Sequence, residues 1–213
     1  MFRFLTWCFL LAGLQIALTV PLAGKKVSLK KQSREMVDLL IAQAIDALQV
    51  KDKLARQQAF EKTARQFFDL KSMGDFIIGS YGRGASSEIL KRYRARTTSY
   101  FAMLYISKFD AYGKGLAKEN FTIGRSFAMR PERAKSVWVV KTAMKKSQSE
   151  PPIQMDWYLY PRDSGFKVID VYIEGVSFTQ TKRDEFKRIL ADEGLSGLVQ
   201  KLEEHLQKDG LLS

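Results

Sequence analysis

The chain has 213 residues, 46% of them hydrophobic, and carries 35 Lys+Arg against 23 Asp+Glu for a net charge of +12. Its length and apolar fraction exclude a disordered chain and fit one domain with a sizeable core. One His and one Cys exclude a Cys/His structural zinc site and an internal disulfide. The basic excess points to an anionic partner: nucleic acid, a phosphate-bearing ligand, an anionic membrane or an acidic protein.

Residues 1–23 read as a signal peptide. Arg3 is their only charge, Phe4 to Val20 is apolar with only Thr and Gln interruptions, and Ala23 offers a small residue before the polar Gly24-Lys25-Lys26. An uncleaved anchor is the alternative, but the apolar run is short for a bilayer core of roughly 30 Å. Cleavage removes the only Cys, Cys8, and leaves 34 basic against 23 acidic residues, a net +11. Export sets nucleic acid aside as a partner.

Residues 24–34 are basic and nearly free of apolar side chains, which predicts a flexible lead-in. Residues 35–213 then form a single domain. Met36, Val37, Leu40, Ile41, Ala44, Ile45 and Leu48 recur at helical spacing, with Ser33 as the expected cap. Leu54, Phe60, Ala64, Phe67 and Phe68 predict a second helix, and Met73–Ile78 a short third one ending in the turn at 79–84. Ser86 or Ser87 is placed to cap a long helix that runs to about Tyr112, where Gly113 and Gly115 stop it.

The pattern then changes to period two. Residues 121–129, 137–144, 153–160 and 169–173 read as four antiparallel strands with one apolar face. Ser177-Phe178-Thr179-Gln180 fits the start of another helix, Gly194 ends it, and Leu195, Leu198, Val199, Leu202 and Leu206 mark the last one. Helices followed by consecutive strands make an α+β domain with helices on one sheet face.

Catalytic patterns are missing. Gly79-Ser80-Tyr81-Gly82 is no nucleophile elbow, since no strand precedes it. Gly82-Arg83-Gly84 lacks the third glycine of a dinucleotide fingerprint. The lone His205 sits beside Leu202 and Leu206 and reads as a surface or boundary residue. Asp170 and Glu174 share a strand face. They fit either an acid/base pair or carboxylates that hydrogen-bond the turn into the next helix. The sheet is unusually rich in large apolar residues. Periodicity alone leaves open whether they fill a core or wall an adaptable cavity.

The segment Phe166–Leu202 resembles the C-terminal part of the MlaC family of periplasmic lipid carriers. It carries Asp170, Glu174-Gly175-Val176-Ser177, Arg183, Phe186 and Gly194-Leu195-Ser196-Gly197-Leu198. Phe76-Ile77-Ile78-Gly79-Ser80-Tyr81, followed by Arg83 and Ala85-Ser86, is similar to the family's segment before its long helix, and Ile153–Tyr160 also fits. Gly82 departs from the family, whose members often have an aromatic there. The resemblance covers about Met36 to Leu206.

It implies a curved antiparallel four-stranded sheet packed by helices around an apolar lipid cavity. It implies no enzyme chemistry and no cofactor, only phospholipid as cargo. Hopanoid cargo is the alternative, since family branches are associated with different lipids. A non-carrier module that binds an acidic envelope partner is the other. The implied partners of a monomeric carrier are an inner-membrane ABC transporter complex with its substrate-binding ring and an outer-membrane lipoprotein–porin complex.

The expected cavity wall draws on the helices through Phe76, Ile77, Tyr81, Tyr93, Tyr100, Phe101, Leu104 and Tyr105. The strands supply Phe127, Trp138, Val140, Met144, Met155, Trp157 and Leu159, then Ile169, Val171, Ile173 and, at the last turn, Val176. Arg83, Arg92 and Arg96 are the expected cations facing a head group or a partner.

Overall fold

The computed structural model describes residues 28–111, 115–133, 135–147 and 149–212. The expected signal peptide lies outside the described residues, as do Tyr112 and Gly113 at the expected stop of the long helix.

Among the described residues, five α-helices and five strands make up the fold. Helices α1 (Leu29–Leu48), α2 (Lys53–Phe67), α3 (Leu70–Ile78) and α4 (Ser87–Ala111) come first, with a 3-10 turn at Gly79–Gly82 between the last two. Strands β1 (Phe121–Ala128), β2 (Trp138–Met144), β3 (Ile153–Arg162), β4 (Gly165–Ile173) and the two-residue β5 (Val176–Ser177) follow. They lie in sequence order in one antiparallel sheet. Helix α5 (Phe178–Lys208) closes the described chain. It bends at Gly194, whose φ of 66° and ψ of −169° suit glycine alone. None of these helices is long and apolar enough to cross a membrane.

Three expectations change. The sheet gains a fifth strand, because Val176–Ser177 pairs back onto Tyr172–Ile173 across the turn. Helix α1 begins at Leu29, so the end of the 24–34 lead-in is helical and Ser28, not Ser33, is the cap. Ser33 is buried, and its hydroxyl meets that of Ser126 at 2.7 Å, tying α1 to β1. Ile169 is the extra residue of a β-bulge: Tyr158 pairs with Asp170, whereas Leu159 pairs with Val168. The bulge resets the alternation, so Val168 and Val171 share the inner face while Ile169 turns outward.

A second bulge interrupts β1, where Ile123 faces Thr142 and Ser126 faces Val140. Gly124 sits inside it, and a Cβ there would lie 3.0 Å from the Lys141 carbonyl oxygen. On the exposed edge of β1, an Arg34 Nη donates to the Ile123 carbonyl. On the far edge, Phe68 bridges Val168 and the Asp69 N–H donates to the Val168 carbonyl at 2.8 Å.

The inner sheet face packs on α1, where Val37, Leu40, Ile41 and Ile45 meet Val140, Leu159, Val168 and Val171. Helices α3, α4 and α5 build a second core around Ile77, Tyr93, Phe186 and Leu198. An ion-pair clamp joins α4 to α5: Arg92 and Arg96 both donate to Glu203, at 2.8 and 2.9 Å. Partial burial pushes the Glu203 carboxyl up, but its bonds and charge pairing with Arg96 and Arg92 outweigh this and hold it below its ordinary value.

A carboxyl depressed by folding adds stability above its unfolded-state value, and that stability is lost as pH falls through the folded one. Thermal stability is therefore expected to drop between about pH 5 and pH 3. Glu203→Gln should flatten that part of the profile in a series of melts across pH. An unchanged slope would mean that the clamp has no part in it.

Candidate ligand cavity

A cavity of about 150 Å³ separates the sheet from the helices. Met144, Ile153, Met155, Trp157, Val171 and Ile173 wall it from the sheet. Leu40, Ile41, Ala44, Ile45 and Leu48 come from α1, and Phe60, Thr63 and Ala64 from α2. Helix α4 adds Thr98, Phe101, Ala102, Tyr105 and Lys108, and Phe178 reaches in from the start of α5. The sheet's inner face thus divides along its length. Around Val140, Leu159 and Val168, each fully buried, it is filled core; toward Met144, Met155 and Ile173 it opens into the cavity.

Hydrogen bonds fix the wall. The Trp157 indole N–H donates to Thr142 Oγ1 at 2.9 Å, and that hydroxyl lies 3.3 Å from the Met155 carbonyl. The indole therefore needs no partner in the cavity and presents apolar ring to it. Thr63 and Thr98 donate to the Ala59 and Arg94 carbonyls one turn back, at 3.2 and 2.8 Å. Phe178 packs edge-on against Phe101 at 4.9 Å and lies 5.1 Å from the Tyr105 ring.

Asp170 sets the start of α5. One oxygen accepts from the N–H groups of Val171 and Thr179 at 2.8 and 3.0 Å, and the other from the Ser177 hydroxyl at 2.6 Å. Ser177 in turn accepts from the Gln180 N–H at 3.0 Å. Glu174 accepts from the Gln154 N–H. Both carboxylates therefore serve the backbone. His205 is exposed, with Nδ1 2.8 Å from the Lys201 carbonyl oxygen.

Of the expected wall residues, the cavity gathers Phe101, Tyr105, Met144, Met155, Trp157, Val171 and Ile173. Ile77, Tyr93, Tyr100 and Leu104 belong to the helical core instead. Tyr93 is fully buried and donates to the Gly74 carbonyl at 3.1 Å. Trp138, Val140 and Leu159 sit in the filled end of the sheet core. Phe76, Tyr81, Phe127 and Val176 are exposed, and Ile169 faces an open groove on the outer sheet face with Tyr158 and Tyr172. Strand alternation turns Phe127 outward, the bulge does the same for Ile169, and Val176 lies on the edge strand.

Arg92 and Arg96 hold Glu203, and neither they nor Arg83 line the cavity. Lys108 is the charged residue in its wall. Sequence reasoning missed Lys108, although its i,i+3 spacing from Tyr105 puts both on one helix face. It also missed Phe60, Phe178 and the wall supplied by α1, which read as ordinary core.

The fold and the cavity define an α+β domain with a largely apolar, partly enclosed cavity between its sheet and its helices. The chain belongs to the MlaC family: the family model described as MlaC protein matches residues 34–204. Its fold is similar to that of a phospholipid-binding protein from Ralstonia solanacearum solved in complex with a phospholipid. The TM-score is 0.64 and the identity 18%, over 85% of this chain and 98% of that one.

Proposed function

We propose that the protein is a periplasmic lipid carrier. It holds phospholipid acyl chains in the cavity between sheet and helices and moves lipid between inner- and outer-membrane complexes of the Mla type. One observation carries this reading: a predominantly aliphatic and aromatic wall in which Lys108 is the single cation among the described residues. Membership of the MlaC family and the phospholipid bound to the Ralstonia protein support it.

The physical need for such a container is simple. Each CH₂ taken out of water contributes about 0.8 kcal/mol, so an acyl chain crosses an aqueous compartment only when enclosed. A volume of about 150 Å³ suits a guest the size of benzene. A full acyl chain is longer than such a guest, so we expect it to widen the cavity or to extend through its open side. The role is binding rather than catalysis, with Asp170 and Glu174 engaged by backbone N–H groups.

Native mass spectrometry of protein exported and purified without detergent tests the reading. The expected result is a co-purifying phospholipid. Protein that is lipid-free, and stays so after incubation with phospholipid vesicles, would refute it. Transfer between donor and acceptor vesicles tests the shuttling step, and a protein that binds lipid without accelerating transfer would be a lipid store.

A further inference from the structure

Within the apolar wall, two neighbouring groups on α4 lack protein partners among the described residues. The Tyr105 hydroxyl is fully buried and meets no hydrogen-bond partner, although its ring lines the cavity. Lys108 is exposed and makes no hydrogen bond or ion pair among the described residues. The other polar wall groups are satisfied: Thr63 and Thr98 by their own helices, Trp157 by Thr142.

A buried hydroxyl without a partner costs about 1–3 kcal/mol, a cost that a ligand oxygen entering the cavity beside the Tyr105 ring would relieve. Burial pushes the Tyr105 phenol up, and the charge of Asp170 adds to the shift. The group is therefore a neutral O–H able to donate. A donor set inside a hydrocarbon lining fits a carbonyl oxygen.

We infer that Tyr105 and Lys108 form a two-point reader for an ester-linked acyl lipid with an anionic head group, Tyr105 donating to an ester carbonyl and Lys108 pairing with the phosphate. This rests on the carrier reading and narrows its cargo. Residues three apart on a helix are neighbours on one face, about 4.5 Å apart along the axis, and both side chains lean toward the helix N-terminus. That step is one a glycerol unit spans between phosphate and ester. The order is also right, with the exposed ammonium outside and the buried hydroxyl inside. A fused-ring hydrocarbon lipid without a carbonyl would leave the hydroxyl unmet.

The test uses the mature chain stripped of lipid and offered equal amounts of a diacyl phosphatidylglycerol and its dialkyl ether analogue, read by native mass spectrometry. The ether lacks only the carbonyls. The wild type is expected to favour the diester about fivefold, the worth of one ordinary hydrogen bond, and Tyr105→Phe to bring that ratio to about one. Lys108→Gln should keep the ester preference but lower the preference for phosphatidylglycerol over diacylglycerol.

Oleate in the same mixture separates the other source of a carbonyl. If it is taken up ahead of the diester, the hydroxyl reads a free fatty acid and the proposal fails. An ester-to-ether ratio of one in the wild type, or an unchanged ratio in Tyr105→Phe, also overturns it while phospholipid carriage stands. If the wild type takes neither lipid, the carrier reading falls and the reader with it. The melting temperature of Tyr105→Phe, which keeps its ring contacts with Phe60 and Phe178, confirms that folded protein is compared.

Discussion

Trp157→Glu is expected to abolish lipid retention. Trp157 lies at the middle of the sheet, opposite Val140 on one side and Val171 on the other. Its ring lines the cavity, meets Phe68 edge-on at 6.5 Å and is held by the bond to Thr142. The substitution removes one of the largest apolar surfaces in the wall and sets a carboxylate against hydrocarbon, with Lys108 the cation in that wall. Truncating a buried tryptophan costs about 3–5 kcal/mol, and an unpaired charge adds to this.

Lipid extracted from detergent-free protein should fall at least a hundredfold, equivalent to about 2.7 kcal/mol. Thr122→Glu, an exposed position in β1, is the control and should keep both its lipid and its melting temperature. A folded Trp157→Glu that still carries lipid would move the binding site out of this cavity.

Asp170→Ala is expected to lower stability strongly although Asp170 lies outside the cavity wall. It removes three hydrogen bonds at once, to Val171, Ser177 and Thr179. It also leaves half-buried donors at the start of α5 without their acceptor. Loss of a helix cap and its companion bonds comes to about 3 kcal/mol. For a domain of this size that corresponds to about 6–12 °C in melting temperature. Asp170→Asn, which keeps an acceptor oxygen but loses the charge, should fall between the two. Because this joint also places Phe178 against Phe101 and Tyr105, the variant should hold lipid less well at temperatures where it remains folded. A melt within a degree of wild type would show that the cap is dispensable.

Asp170 also illustrates what the sequence made legible. A carboxylate seven residues before a helix-start signature suggests bonding across that turn. The helices, the antiparallel sheet and the break at Gly194 likewise followed from periodicity and from Gly placement, because those signals are local. The misplacements have a shared origin in contacts between distant segments. Ser33 resembled a cap, yet the buried contact with Ser126 claims it and Ser28 caps the helix. Ile169 kept perfect alternation with Val171 and Ile173 in the sequence, but the pairing of Leu159 with Val168 throws it to the other face.

An apolar, Met- and aromatic-rich sheet was legible, but whether it filled a core or walled a cavity was not; the cavity rested on the family resemblance. Periodicity treats Leu159 and Met155 alike; how the helices pack over the sheet decides that the first meets filled core and the second also borders the cavity. Helix α1 itself carried no sign of this double use, since Leu40 and Ile41 serve core and cavity at once. Lys108 escaped because a single lysine near a helix end usually marks nothing but solvent.

The two flanks of the sheet have a consequence for how the protein behaves in a crowded compartment. A bare strand edge is a template for another chain, and an apolar-rich sheet with bare edges polymerises. Here β1 is bent by its bulge and has a carbonyl occupied by Arg34, while β4 is overlaid by β5 along one stretch and by Phe68 and Asp69 along another. Both flanks thus carry features that interrupt an edge: a bulge and a side-chain bond on β1, and short overlying segments on β4. Because these features lie on the sheet's flanks and not in the cavity wall, resistance to edge-to-edge aggregation is expected to be the same in lipid-loaded and lipid-free protein, as light scattering of the two forms would show.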